Sequence, residues 1–596
     1  MRARDFLIVA AMFMVVLLVA GGDFAWATEA VSNAAPAPQP TAADYPHIGG
    51  INSRTFVWAF AQMHLFLAAF VLAVPMFVVS IEYMGVMSGD QRYDSMAHEF
   101  MKVSMAAYSF TALAGGGLTL ALFLFYPDLM GYMVRVFRGQ TLIYAGLFLA
   151  ESACLYIYYY TWDAMRYGNR KWFHMSIGLV LNTVGLTLMF LANAWASFTM
   201  SPAGVDPATG AVVGSVWEAT RNPLWNPLNL HRFLANIAYG GAIVGAYAAY
   251  RFLATQKPAE RAHYDWMGYV SNFIAVCGFL PLPFAGYWLM AEIYAYSQQM
   301  GITAMGGILA WLFIIQAVLI GTLLMAVNYY LWCGLGRTDE GVRFNRYIKY
   351  IAVVIVGGFL VWVTPHSLIL SPQEIQALGG THHKLLGPLG IMPAKNTAVN
   401  LMLVFTFLSF QLFYRSSRKP EVSWAPVGNG IIIALYVVGI ANIVGAGIYG
   451  YITPTVYKVG ASVPQVFTTL TIIVASAIID AFMLRGAINA KVHWGRMSTR
   501  SQYALFILPI AFTWLMALMG YIRSSLRTQW HVYTIMPDKS PEAYIPTIGE
   551  AGNIITIITL MFMALIVFIF WLSQVGSTKQ ELPVGDKPAA GEGAGS

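Results

Sequence analysis

Residues 56–79 read FVWAFAQMHLFLAAFVLAVPMFVV, an apolar run that is long enough to cross a lipid bilayer as a helix. One imidazole, His64, interrupts this run, and a second, His231, lies early in another run, NPLNLHRFLANIAYGGAIVGAYAAY at residues 226–250. A polar side chain is costly inside a membrane helix, so each histidine is a candidate functional residue. Neutral imidazole is a common axial ligand of haem iron, which makes a haem site the first hypothesis. The alternative is that each ring faces a wet crevice between helices.

The composition is that of an integral membrane protein. Of the 596 residues, 58% are hydrophobic and only 10% are charged, and the mean hydropathy is +0.62. A soluble domain carries about a quarter of charged residues. The net charge of +7 does not indicate nucleic-acid binding, because the basic residues lie in short loops between apolar runs. The three cysteines form no CxxCH motif, so any haem would be held without thioether bonds.

About thirteen apolar runs are long enough to span a membrane, which predicts an all-α, polytopic membrane helix bundle. The runs lie near residues 57–85, 103–126, 141–162, 173–198, 230–251, 266–294, 305–333, 347–370, 397–414, 428–451, 464–484, 502–522 and 551–573. The run at 266–294 contains Pro281 and Pro283, where a bend is expected. Basic loops alternate with basic-poor ones, except at 127–140 and after the twelfth helix. This bias predicts an N-terminus outside and a C-terminus inside.

Both ends of the chain are predicted to lie outside the bundle. Residues 1–27 combine two early arginines, an apolar stretch and a small-x-small site, AWA, and so predict a signal peptide. An uncleaved first helix is the alternative. The other predicted parts are a periplasmic leader, the membrane bundle with its haem sites and a disordered cytoplasmic tail, at residues 28–56, 57–574 and 575–596.

Several stretches of the chain resemble subunit I of the cytochrome bd-type quinol oxidases. They are QMHLFLAAFVLAVP (62–75), GLFLAESACLYIYYYTWDAM (146–165), KWFHMSIGLVLNTVGLTLMFLANAWASFTMSP (171–202), NLHRFLANIAYGG (229–241) and ALFILPIAFTWLMALMGYIRSSLRTQW (504–530). The last of them is similar to the family's penultimate helix and its Gly-Arg-Gln-Pro-Trp motif. The resemblance extends over about 57–290, is weak over 395–415 and returns over 500–573.

The resemblance implies roles for four residues. His64 matches the axial histidine of a high-spin haem pair, and His231 and Met402 match the two ligands of a low-spin haem b. The expected cofactors are low-spin and high-spin haem b, with haem d as a further option. Glu151 matches a buried carboxylate on the family's proton route, and a carboxyl group near the bilayer midplane favours its protonated form. The alternative for Glu151 is a buried acid hydrogen-bonded to another helix.

The function implied by the resemblance is respiratory oxygen reduction in the bacterial inner membrane. Electrons would come from quinol or from a periplasmic cytochrome c, protons would come from the cytoplasm, and a second membrane subunit would take part. Two alternatives remain open. One is a haem subunit that exchanges electrons between quinone and cytochrome without oxygen chemistry. The other is a haem-free transporter, although no inverted repeat is visible.

The chain also departs from the family pattern. Ile143 stands where a second acid is usual, and further apolar runs replace the hydrophilic loop that helps to bind quinol. Thr534 stands where the family has a haem-ligating glutamate. His531, about one helical turn earlier, is the candidate replacement, because residues three apart on a helix share a face. The alternative is that His531 is an ordinary outer-loop residue. Quinol oxidation at the usual loop and the full set of three haems are therefore open.

Arg523, Arg527 and Trp530 follow one another at the outer end of the twelfth helix. Guanidinium groups there can neutralise haem propionates, and ordinary interfacial anchoring is the alternative. In the outer loop that contains His382 and His383, the histidines form either a quinol, haem or metal site or a solvated surface. His174, at the inner start of the fourth helix, is predicted to be interfacial.

Overall fold

The computed structural model describes residues 47–48, 51–305, 309–364, 392–453, 455–527, 529–538 and 548–575. Within these ranges, thirteen helical spans are long and apolar enough to cross a membrane, which confirms the predicted all-α polytopic bundle. The helices are α1 Ser53–Ser88, α2 Gln91–Phe125, α3 Pro127–Val136, α4 Arg138–Tyr160, α5 Asn169–Phe198, α6 Val216–Thr220, α7 Trp225–Ala254, α8 Pro258–Phe279, α9 Leu282–Tyr296, α10 Gln298–Met305, α11 Leu309–Gly334, α12 Asn345–Trp362, α13 Met392–Ser416, α14 Ala425–Ile452, α15 Thr455–Met483, α16 Thr499–Leu526 and α17 Ile548–Leu572.

Short elements connect the helices. Two turns of 3-10 helix, Leu335–Arg337 and Gly341–Phe344, lie between α11 and α12. Three antiparallel pairs of short strands are formed by β1 His47–Ile48 with β2 Ile51–Asn52, β3 Arg418–Lys419 with β4 Ile488–Asn489, and β5 Trp530–Val532 with β6 Met536–Pro537. The predicted signal peptide, the tail beyond residue 575 and the loop histidines His382 and His383 lie outside the described residues.

Local chemistry explains where two of the helices begin and break. Asn52 caps α1, because its side-chain Oδ1 accepts a hydrogen bond of 2.7 Å from the Thr55 backbone N–H. The helix therefore begins at Ser53, inside the predicted leader. The predicted bend at Pro281 is present as a break between α8 and α9. Proline removes a backbone donor and ends the hydrogen-bond ladder at this point.

Two helices lie at the centre of the bundle. Each helix has a most apolar stretch, and the share of its residues that are buried is 67% in α1 and 72% in α7. The corresponding share in α4 is 17%. A helix that is buried all round belongs to the core, whereas one that exposes apolar side chains faces lipid. α1 packs against α2, and α7 packs against α8, α16 and α1. The two central helices are the ones that carry His64 and His231, and both side chains are half-buried.

Candidate cofactor-binding site

His64 is held by backbone groups of α2. Its Nδ1 lies 3.1 Å from the Thr111 carbonyl oxygen, which can only accept a hydrogen bond, so the Nδ1 carries the proton. This tautomer leaves Nε2 as the nitrogen with a free lone pair. A Cβ placed on Gly115 would lie only 2.8 Å from His64 Cε1, so the ring rests directly on the α2 backbone. An imidazole whose second nitrogen is fixed in this way is a well-oriented metal ligand.

His231 has a different environment. Among the described residues, neither of its ring nitrogens has a hydrogen-bond partner. The ring faces α9, where a Cβ added to Gly286 would lie 3.6 Å from His231 Cδ2 and 3.7 Å from Nε2. A half-buried imidazole without a protein partner can accept a hydrogen bond from water or bind a ligand. His231 is therefore chemically available, on a face that a glycine keeps free of side chains.

Met402 is fully buried on α13. Its sulphur lies 3.2 Å from the position that a Cβ on Gly358 of α12 would occupy. His231 faces α9 instead, so the glycine neighbours of the two side chains belong to different helices. Pairing of Met402 with His231 as the two ligands of one iron stays a prediction.

Buried cations lie at the same end of the bundle. Arg523 donates from Nη1 to the Ala196 carbonyl oxygen at 3.0 Å, and Arg527 donates to the His531 carbonyl oxygen. Burial, reinforced by the charges of Arg523 and Arg54, lowers the pKa of Arg527 to about 9. Loss of hydration is the main cause, and the nearby charges of Arg523 and Arg54 add to it, so an anionic group beside these arginines would be stabilised.

One of these cations was not predicted. Arg232, next to His231 in the sequence, donates from Nη1 to Asn193 Oδ1 at 2.6 Å. In the sequence it resembles an ordinary basic residue at a helix end. The signal that could have identified it is the position itself, inside an apolar run beside a candidate ligand.

His531 lies on strand β5 and not on a helix, which corrects the geometric basis of its sequence prediction. Its Nε2 is 3.6 Å from Asp538 Oδ1, and its ring makes an edge contact with Tyr126 at 4.7 Å between centroids. Burial is the largest effect on its pKa and lowers it to about 4, so the imidazole is neutral at pH 7. Trp530, on the same strand, is partly buried, and Thr534 at the turn has a positive φ of 59°.

These features fit a haem. The residues include an imidazole without a partner, a second imidazole oriented by a backbone carbonyl, glycines against both rings and guanidinium groups in excess over carboxylates. Haem needs these same groups: axial nitrogen ligands, a flat face and counter-charges for its propionates. Within the described residues, no group of three His, Cys, Asp or Glu side chains lies close enough to hold a bare metal ion.

Glu151 lines a small cavity between α1, α4 and α5. The cavity is bounded by Val71, Leu72, Pro75, Glu151, Leu155, Leu181, Asn182 and Gly185. The carboxyl group is 7% exposed and has no hydrogen-bond partner among the described residues. Asn182 donates to the Pro75 carbonyl oxygen at 3.2 Å, but its own Oδ1 is buried without a partner. A cavity with polar atoms on two sides can admit water to the carboxyl group.

A buried polar cluster on the predicted inner side was missed by the sequence analysis. Glu82 of α1 accepts hydrogen bonds from Tyr158 of α4 and Lys171 of α5, and Lys171 also lies 2.5 Å from Asp94. His174 Nδ1 lies 3.0 Å from Glu82 Oε1. His174 is fully buried in the protein, and its predicted position at the level of the membrane interface stays a prediction. A charged lysine tolerates this depth because carboxylates surround it.

Comparison with known proteins identifies the family of the chain. A family profile described as cytochrome bd terminal oxidase subunit I matches residues 53–361, just over half of the chain, and the chain belongs to this family. The family binds haems, and membership implies oxidoreductase activity in a multi-pass membrane protein. The match includes His64, Glu151 and His231, whereas Met402 and His531 lie beyond it.

Among solved structures, the bd oxidase from Geobacillus thermodenitrificans is similar to this chain at 12% sequence identity and a TM-score of 0.45. The similarity covers 87% of this chain and 96% of that one. A search of curated proteins gave no significant sequence match.

Proposed function

We propose that the chain is the haem-bearing subunit of a bd-like respiratory oxidase, which passes electrons from quinol or a periplasmic cytochrome c to oxygen. The observation that carries the proposal is the position of His64 and His231 on the two most buried helices. Both imidazoles offer a nitrogen without a hydrogen-bond partner, and buried arginines lie at the same end of the bundle. In this proposal the protein lies in the bacterial inner membrane with a second membrane subunit.

The protein residues would hold the cofactor as follows. His64 presents Nε2 while Thr111 fixes the ring, and His231 presents a ring nitrogen beside Gly286. Met402 is the proposed second ligand of the iron that His231 would bind, and Arg523 and Arg527, with Trp530 beside them, would neutralise propionates. Haem b, with haem d as a further option, would supply electron transfer and oxygen binding.

Glu151 is the proposed proton donor. Tyr158 lies two turns away on the same face of α4, about 10 Å along the helix axis, and contacts Glu82 of the inner polar cluster. A proton taken up at this cluster would pass by way of water to the Glu151 cavity. Leu155 and Leu181 are buried apolar residues that line the Glu151 cavity, so the proposed transfer requires water to enter this region transiently. Electrons arriving from outside and protons from inside would together move charge across the membrane.

Oxygen uptake by the purified protein tests the proposal. We expect a Soret band after haem-replete expression, and oxygen consumption with either a reduced quinol analogue or reduced cytochrome c as the donor. A haem-loaded protein that transfers electrons from quinol to cytochrome c but consumes no oxygen would support the alternative electron-transfer role. Protein that contains no haem would contradict both.

One feature, the hairpin of β5 and β6, specifically supports the alternative function of electron transfer without oxygen reduction. By the sequence resemblance, Thr534 stands where the family has a haem-ligating glutamate, and a carboxylate, Asp538, lies 3.6 Å from His531 Nε2. A carboxylate beside one imidazole nitrogen orients the ring for a metal at the other. An imidazole ligand in place of a carboxylate would make a stronger-field site, closed to oxygen.

We therefore expect His531→Ala to lower the haem count or change the carbon monoxide difference spectrum. Asp538→Asn should have the same effect in weaker form, because removal of an outer hydrogen-bond partner weakens metal binding by about 10- to 100-fold. Haem content and spectra identical to those of the wild type would remove His531 from the site. A carbon monoxide complex of the wild-type protein would show that at least one iron is open to oxygen.

A further inference from the structure

Arg232 has no counter-ion in the described part of the chain. Its single hydrogen bond there runs from Nη1 to Asn193 Oδ1, and Asn193 in turn donates to Asn229 Oδ1 at 2.8 Å. No carboxylate of the described residues forms an ion pair with Arg232, although the side chain is partly buried within the bundle. An uncompensated guanidinium in such a place is costly, since most of its hydration is lost.

The position of Arg232 relates it to both proposed axial ligands. It follows His231 on α7 but points to a different neighbour, α5, and its charge also acts on His64 of α1. Its charge therefore acts on both imidazoles, although its hydrogen bond is to α5. Its charge acts on Arg523 of α16 as well.

Arg232 and Arg523 are anchored side by side. Asn193, the partner of Arg232, lies about one turn before Ala196, whose carbonyl oxygen accepts a hydrogen bond from Arg523. Both contacts are near the C-terminal end of α5, where the helix carbonyls carry partial negative charge. These neutral acceptors offset only part of two like charges. An anion between the two guanidinium groups would satisfy their remaining N–H donors and relieve the repulsion.

We propose that Arg232 and Arg523 form a cradle that binds a carboxylate of the haem ligated by His231, and that Arg232 favours reduction of this haem. The inference rests on the proposed haem ligation by His231. A positive charge near an iron stabilises the state with one more electron, and inside the bundle this effect is screened much less than in water. Arg232 acts through charge and position and takes no part in the chemistry.

A redox titration of the low-spin α band tests the cradle. We expect Arg232→Gln to retain the band but to lower the equilibrium constant for reduction about tenfold, which is ~59 mV for one electron. Arg232→Lys restores the charge and should recover most of this loss. Asn193→Asp places a carboxylate next to Arg232 without changing the side-chain size, and it should lower the potential in the same direction.

Arg221→Gln is the matched control. Arg221 is an exposed arginine on the same predicted side, stacked over Trp217 at 5.7 Å, and its loss should leave the potential unchanged. Unchanged potentials in both Arg232→Gln and Asn193→Asp would overturn the proposal, and so would an Arg232→Lys variant as impaired as Arg232→Gln. Loss of the band in Arg232→Gln with retention in Arg232→Lys would support it. Absence of the band from the wild-type protein would overturn haem ligation itself.

Discussion

Replacing His231 by alanine is expected to abolish the low-spin α band completely. The residues three and four positions from His231 on α7 are apolar, and Gly286, which faces the ring, has no side chain to serve as an alternative ligand. Without an axial nitrogen, the iron would lose the strong field that gives the low-spin spectrum. The measurement is a reduced-minus-oxidised spectrum of the purified variant, together with a count of haem per polypeptide. Survival of the band would show that the ligand assignment is wrong.

His493→Ala provides the control for this substitution. His493 is a partly exposed imidazole 3.7 Å from Asp339, in the loop between α15 and α16, and its loss should leave the spectrum unchanged. His64→Ala gives the complementary result. We expect this variant to lose the carbon monoxide-sensitive signal and to keep the low-spin band. If His231→Ala and His64→Ala had the same spectrum, the two histidines could not serve separate haems.

Glu151→Gln should reduce oxygen turnover by about 100-fold or more, because a positioned acid or base contributes a factor of this size to proton-transfer steps. Glutamine fills the same space beside Gly185 and Leu72 but cannot release a proton. The haem spectrum should be unchanged, which separates loss of proton delivery from loss of fold. Turnover is measured as oxygen uptake at saturating donor.

The exposed loop residue Glu340 serves as the reference for this experiment. Among the residues that the structure describes, its ion-pair partner is Arg343, at 3.4 Å, and the same change to glutamine there should have no effect on turnover. Wild-type turnover in Glu151→Gln would contradict a role for this carboxyl group in proton delivery. A variant with normal turnover but no charge separation in vesicles would point to proton uptake from the opposite side.

The helices could be predicted from the sequence because each span repeats the same simple signal, about 20 apolar residues between polar loops. The two imidazoles stood out for the same reason, as polar exceptions within such runs. The break at Pro281 followed from the chemistry of proline. These features are local, and local patterns determine them.

The contacts between helices could not be predicted in this way. Glu82 and Lys171 lie far apart in the sequence, and apolar periodicity does not say which helix faces which inside lipid. Arg232 could not be singled out from the sequence, because its hydrogen bond and its charge act on residues of α1, α5 and α16 that are distant in the chain. His531 was expected to lie on a helix. The chain instead turns at Thr534, a β-branched residue whose positive φ is disfavoured by sequence propensities.

The contact between His64 and Gly115 has a consequence for how this protein can change over evolutionary time. Any side chain at position 115 would collide with the imidazole, as the 2.8 Å approach to its Cε1 requires. A larger residue at position 115 therefore requires a substitution at position 64 as well. We expect the two to be inherited as a pair, so that homologues with a larger residue at 115 have also given up the histidine.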